Sequence, residues 1–293
     1  MSSPAERQLR FRDKDAPAAR PLVMAIINRT PDSFYDAGAT YELDDALRAA
    51  GSAVAAGADI LDVGGVKAGP GPAVTAAEET RRVVPLIAAL RERHPEVIIS
   101  VDTWRGEVGR EACAAGADLI NDTWQGADPR LVEVAAEFRA GYVCSHTGGA
   151  TPRTRPHRVS YPDIVAAVVE EVTRGAERAV ALGVPREGVL IDPTHDFGKN
   201  TWHSLELLRR TRELTTTGWP VLMALSNKDF VGETLGVGLA DRVDGTLAAT
   251  AVAAWEGAAV FRAHEVGRTR QVVDMVASIA GSRPPSRTTR GLA

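Results

Sequence analysis

The chain has 293 residues, of which 44% are hydrophobic and 25% charged, with a formal net charge of -4. That balance describes a globular protein with a full core, and it supplies no positive field for nucleic acid or an anionic membrane surface. No segment reaches the ~20 apolar residues a membrane helix needs, so neither nucleic acid nor membrane is an expected partner.

Residues 1 to about 20, MSSPAERQLRFRDKDAPAAR, carry charge throughout and lack the apolar core of a secretion signal. They are expected to form a flexible tail on a cytoplasmic protein. Cys113 and Cys144 lie outside any CxxC pair and read as reduced, buried thiols. One pattern then repeats. Short apolar runs stand at 23–28 (VMAIIN), 59–65 (DILDVGG), 97–103 (VIISVDT), 118–124 (DLINDTW), 140–146 (AGYVCSH), 188–194 (GVLIDPT), 220–226 (PVLMALS) and 258–265 (AAVFRAHE). Continuous Val/Ile/Leu runs suit parallel strands covered on both faces. The segments between them, such as 42–57 and 76–94, place apolar residues at helical spacing. Several close on AAGAD or a similar phrase, whose Gly fits a left-handed helix C-cap. Eight strand–helix units over residues 21–281 predict a single-domain (β/α)8 TIM barrel, followed by a flexible tail at 282–293. An open doubly wound sheet is the structural alternative, disfavoured because no GxGxxG turn follows the first strand.

In a barrel, the C-terminal ends of the strands face one mouth. Here they carry Asn28, Asp62, Asp102, Asn121 with Asp122, His146, Asp192, Ser226 with Lys228, and Arg262 with His264. Taken singly, an Asp or Asn caps a helix or makes a turn, a histidine sits satisfied in the interior, and a lysine is solvated. A whole set converging on one mouth points to a site. Asp102, Asn121 and Asp192 suit the edge of a flat polar heterocycle. Lys228, Arg262 and His264 supply cations for phosphate oxygens, and Asn28 with Asp36 supplies oxygen ligands for Mg²⁺. The absence of HExxH, GxSxG and GxxxxGK[ST] disfavours zinc-enzyme, serine-hydrolase and P-loop readings.

Asn28-Arg29-Thr30-Pro31-Asp32-Ser33-Phe34-Tyr35-Asp36 resembles the first signature of the dihydropteroate synthases, the pterin-binding enzymes of folate biosynthesis. Ser100-Val101-Asp102-Thr103, Asn121-Asp122, Asp192-Pro193 with Phe197-Gly198-Lys199, Ser226-Asn227-Lys228 and Arg262-Ala263-His264-Glu265 resemble the later motifs in order. The resemblance spans about residues 21 to 281. It implies a (β/α)8 barrel and a transferase reaction that joins 6-hydroxymethyl-7,8-dihydropterin pyrophosphate to para-aminobenzoate. It also implies a pterin pocket of Asp102, Asn121, Asp192 and Lys228, with Arg262, His264 and Asn28 on pyrophosphate. Asp102, Lys228, Arg262 and His264 would carry the catalysis, Mg²⁺ would bind at Asn28 and Asp36, and the assembly would be a homodimer.

Departures from the pattern cluster. The family's Glu-Ser-Thr-Arg-Pro-Gly reads Val66-Lys67-Ala68-Gly69-Pro70-Gly71, placing Ala68 at its threonine and Gly69 at its arginine. Asn227 stands for an arginine, Thr194 and Asp196 for glycines, and Arg29 and Tyr35 for smaller residues. The pterin-facing residues are spared, while the amine and pyrophosphate side is altered. A charge-assisted phosphate contact is worth about 1.5–3 kcal/mol, and Lys67 or Arg29 could compensate only in part, because lysine lacks the bidentate fork. The expectation is a synthase-like protein that binds a pterin pyrophosphate and has weak or lost condensation with para-aminobenzoate. An active synthase with unusual loops, and a non-catalytic or regulatory pterin-binding protein, stand as alternatives.

Overall fold

The computed structural model describes residues 8–17, 20–30, 42–154 and 159–289. Eight of its strands coincide with the eight apolar runs: β3 (Leu22–Asn28), β4 (Ile60–Gly64), β5 (Ile98–Asp102), β6 (Leu119–Asp122), β7 (Gly141–Ser145), β8 (Val189–Asp192), β9 (Leu222–Ala224) and β10 (Val260–Ala263). Every pairing among them is parallel, in the order β8-β7-β6-β5-β4-β3-β10-β9. A single parallel bridge between Ile191 and Val221, with Ile191 N–H donating to Pro220 O at 3.0 Å, brings β8 to β9. The sheet is thus a nearly closed barrel, as the repeating unit predicted.

The helices ring it: α1 (Leu43–Ala55), α2 (Ala76–Arg93), α3 (Gly106–Ala114), α4 (Arg130–Phe138), α5 (Ile164–Ala181), α6 (Thr201–Arg209), α7 (Thr211–Thr215), α8 (Asp229–Leu235), α9 (Val243–Trp255) and α10 (Val266–Ile279). The glycines of the repeated phrase, Gly57, Gly116 and Gly257, all take left-handed φ angles (96°, 116° and 95°) just after a helix. That conformation turns the chain out of the helix toward the next strand, at little cost only for glycine.

Side chains alternate along each strand, so the apolar runs build two cores. Leu22, Met24, Ile60, Ile98, Leu119, Val143, Leu190, Leu222 and Val260 pack against one another inside the barrel. Their neighbours, among them Val23, Ala25, Leu61, Val63, Ile99, Val101 and Ile120, pack outward against the helices. Each such burial contributes about 1.5–3 kcal/mol.

The expected N-terminal tail is corrected for part of its length. Strands β1 (Arg10–Phe11) and β2 (Lys14–Asp15) form an antiparallel hairpin. Leu9, Phe11 and Ala16 join the inner apolar core, and Phe11 is fully buried. The barrel has room for it only because β7 begins with glycine: a Cβ at Gly141 would lie 2.5 Å from the Phe11 ring. Three apolar side chains spaced among charges were enough to dock the segment, and the charge density hid them. At the other end, Arg283 pairs with Asp274 at 3.5 Å, and no further helix or strand follows α10 among the described residues.

Candidate functional site

Two positions beyond each inner apolar residue, the same alternation turns another side chain into the barrel. Ile60 leads to Asp62, Ile98 to Ser100, Leu119 to Asn121, Leu190 to Asp192 and Val260 to Arg262. A polar layer therefore sits directly on the apolar one, toward the C-terminal mouth. Asp62, Ser100 and Asn121 are all fully buried.

Arg262 organises this layer. Its Nε donates to Asp62 Oδ2 at 2.6 Å and its Nη2 to Asp102 Oδ2 at 2.8 Å. Ser100 Oγ and Asn121 Nδ2 also donate to Asp62, at 2.6 and 3.1 Å. Thr123 Oγ1 donates to Asp102 at 3.3 Å. A carboxylate as buried as Asp62 is tolerable only with such partners. Arg262, which the resemblance places on pyrophosphate, bridges two carboxylates at the mouth of the barrel. The strand-end pattern gives Asp62 no role of its own; its place two residues after Ile60 is the signal that turns it inward.

Burial pushes the Asp102 carboxyl up to about 7; Arg262 opposes the shift and the Asp62 carboxylate adds to it. Near neutrality it can therefore donate as well as accept a hydrogen bond. The sign of the stability effect follows: a carboxyl that binds its proton more tightly folded than unfolded favours the fold at low pH, and loses that contribution as pH rises from about 4 to about 7. Asp102→Asn is expected to flatten stability over this window, by at most about 1.4 kcal/mol per pH unit, in urea melts of both proteins at pH 5 and pH 7.5.

Asp192 and Lys228 lie at the same mouth. Asp192 Oδ1 accepts Thr194 N–H at 2.7 Å. Burial raises its pKa, opposed by that N–H and by the charges of Lys228, Lys199 and Arg262. Lys228 Nζ donates to His195 O at 2.7 Å and lies 4.5 Å over the Phe197 ring. Asn28 ends β3, with Oδ1 only 3.1 Å from where a Cβ of Gly64 would stand; the Asp102 Cβ lies 3.7 Å from the same point. His264 Nδ1 is 2.9 Å from Ser226 Oγ. Asp36, named as the second Mg²⁺ ligand, lies outside the described residues, as does Tyr35.

In the sequence Lys199 stands out only as the end of the Phe197-Gly198-Lys199 motif. It is buried, with Nζ 2.8 Å from His146 Nδ1 and donating to the carbonyls of His146, Thr194 and Phe197 at 2.8, 3.2 and 2.9 Å. It ties the loops after β7 and β8 together.

The altered side of the mouth is built differently. Arg29 donates to the α2 carbonyl of Arg82 at 2.8 Å, and Arg82 Nη1 donates to Gly65 O at 2.9 Å. Arg153, from the loop after β7, donates to Gly69 O at 3.4 Å and Pro72 O at 2.6 Å. The Lys67 Cε lies 3.8 Å from where a side chain on Gly69 would begin. Asn227 is buried with φ 55°. Its N–H donates to Thr246 Oγ1 at 3.1 Å and its carbonyl accepts from Arg242 at 2.9 Å, so the loop residue is anchored to α9.

Two carboxyls, an amide, an ammonium and a guanidinium thus converge at one mouth, a set able to match the edge of a flat, nitrogen-rich ring. Comparison with known proteins agrees. The chain is 65% identical over 280 residues to a protein named inactive dihydropteroate synthase 2 from Mycobacterium leprae, covering 94% of this chain and 96% of that one. It is 37% identical over 270 residues to the dihydropteroate synthase of Escherichia coli, covering 92% and 95%. The crystal structure of Yersinia pestis dihydropteroate synthase with a sulfonamide drug superposes with a TM-score of 0.88 at 36% identity, covering 94% of this chain and 100% of that one. The family model for pterin binding enzymes matches residues 24–264, and with that span and those relatives the chain belongs to the pterin-binding enzyme family, as a divergent dihydropteroate synthase paralogue.

Proposed function

We propose that this protein binds a pterin of the 6-hydroxymethyl-7,8-dihydropterin pyrophosphate type at the C-terminal mouth of its barrel, and that its condensation with para-aminobenzoate is weak or lost. One observation carries the reading: Asp102, Asn121, Asp192 and Lys228 share one mouth, whereas Ala68, Gly69 and Asn227 stand where the synthase pattern has threonine and two arginines. Asp102, Asn121 and Asp192 would take the ring edge and Lys228 a ring acceptor. Losing the arginines would leave the departing pyrophosphate and the incoming amine without their positioning groups. The name of the Mycobacterium leprae relative supports the loss.

Mg²⁺ is part of the proposal through Asn28 and Asp36. Among the described residues no group of three His, Cys, Asp or Glu side chains could hold a metal, so pyrophosphate oxygens would complete its shell. A homodimer is proposed as well. Trp202 on α6, Leu235 on α8, Val252 and Trp255 on α9, and Met275 and Ile279 on α10 are exposed apolar side chains on neighbouring helices, the kind of surface a partner covers. A cytoplasmic setting fits the two free, buried cysteines.

Calorimetry tests the binding half. 6-Hydroxymethyl-7,8-dihydropterin pyrophosphate should bind the protein at one site. Asp192→Asn, which keeps the acceptor for Thr194 N–H, should weaken binding about 100-fold while the melting temperature holds. Equal affinity in both proteins would remove Asp192 from the pocket.

A further inference from the structure

The segment after β8 contains an oddity that the pterin reading does not explain. Thr194 and Asp196 both adopt left-handed backbone, at φ 51° and 70°. A β-branched residue in that region is strained, and even aspartate would be replaced by glycine with relief. Such strain persists where the side chain returns something. The Asp196 carboxylate does so: Oδ2 accepts the N–H of Asp229 at 2.6 Å, and Oδ1 lies 3.4 Å from the N–H of Phe230. Those are the first two residues of α8, the helix that begins immediately after Lys228.

The residues on either side of Asp196 grip the same lysine. Lys228 Nζ donates to the carbonyl of His195 and sits over the ring of Phe197. Three consecutive residues therefore hold the backbone just beyond Lys228, its ammonium and its flank. We propose that Asp196 is a positioning residue for the ligand site, anchoring the start of α8 immediately after Lys228 so that this lysine is presented to the ligand as a cation. For the identity of the ligand this rests on the pterin-binding reading; for Lys228 itself it does not.

The charges around Lys228 bear on the test. Burial pulls the Lys228 pKa below the ordinary lysine value, with Arg262 adding to the shift; Asp196 and Asp192 oppose it most, with Asp229 contributing. Lys199 and His195 also lie within electrostatic reach. Asp196→Asn keeps the shape, an acceptor oxygen and a residue tolerant of left-handed backbone, and removes only the charge. Asp196→Gly removes the strain and the cap together.

The chain has four lysines, Lys14, Lys67, Lys199 and Lys228, so lysine-labelled protein gives a spectrum in which Lys228 is assigned by Lys228→Met. In the ligand-free protein, Asp196→Asn is expected to move the Lys228 titration midpoint down by about one pH unit. Affinity for 6-hydroxymethyl-7,8-dihydropterin pyrophosphate should then begin to fall at a correspondingly lower pH as pH is raised, with an unchanged melting temperature. An unmoved Lys228 midpoint in Asp196→Asn overturns the proposal, and so does a pattern in which only Asp196→Gly matters and only through the melting temperature. Because the titration needs no ligand, failure of the wild type to bind the pterin would sink the functional reading and leave this test decisive.

Discussion

Arg262→Ala is expected to cost about 3–5 kcal/mol of stability and to abolish binding of pterins with and without pyrophosphate. The sequence pattern alone predicted a narrower effect, confined to pyrophosphate. The bridge explains the difference. Asp62 has no exposed side-chain surface and, among the described residues, takes its only ion pair from Arg262; without it, the hydroxyl of Ser100 and the amide of Asn121 remain against a buried negative charge. Asp102 loses the same cation. Two carboxylates at the floor of one mouth would then repel, and protonation of Asp102, whose pKa burial already raises, is the cheapest relief. The variant's deficit should therefore shrink as pH falls from about 7 toward 5, when the fold takes up the protons. Arg262→Lys should rescue little, since a single ammonium cannot reproduce the two-pronged contact. Urea melts at both pH values, beside calorimetry with an unphosphorylated pterin, check this. A stable variant that fails only on pyrophosphate would mean the bridge is dispensable.

The second large effect is a gain. Replacing Val66-Lys67-Ala68-Gly69 by Glu-Ser-Thr-Arg is expected to raise dihydropteroate formation about 10- to 150-fold, the equivalent of about 1.5–3 kcal/mol from one restored arginine contact. Among the described residues only the Lys67 side chain approaches a Cβ built on Gly69, and the graft removes it. Arg153 holds this loop through the carbonyls of Gly69 and Pro72, contacts that survive any side-chain change. The melting temperature should barely move, as for other exposed loop substitutions. Adding Asn227→Arg is a different matter. Asn227 is buried and left-handed, so a longer side chain there should lower stability by about 1–3 kcal/mol even where it adds activity. Comparing the graft with and without Asn227→Arg, by product formation and thermal melts, separates the two. No gain from either would place the defect in the first loop, beside Arg29.

How much of this was legible in sequence depended on periodicity. Strands and their ends were readable because each parallel strand is a continuous apolar run, and the barrel followed from eight of them. The same alternation that set Ile60, Leu190 and Val260 inward also dictated Asp62, Asp192 and Arg262 two positions later. What one sequence could not show was which polar end pairs with which. Arg262 lies 200 residues from Asp62, and a bidentate bridge and a phosphate contact leave the same letter in a motif. The left-handed Thr194 and Asp196 were visible as missing glycines, but their consequence depends on where α8 begins. Phe11 was lost among charges because a two-residue strand has too few alternations to register.

Turnover of the unmodified protein tests the central claim most directly. Supplied with para-aminobenzoate and saturating 6-hydroxymethyl-7,8-dihydropterin pyrophosphate with Mg²⁺, it should form dihydropteroate at least about 100-fold more slowly than the Escherichia coli synthase assayed alongside. A rate equal to that enzyme's would contradict the loss of condensation, however tightly the pterin binds.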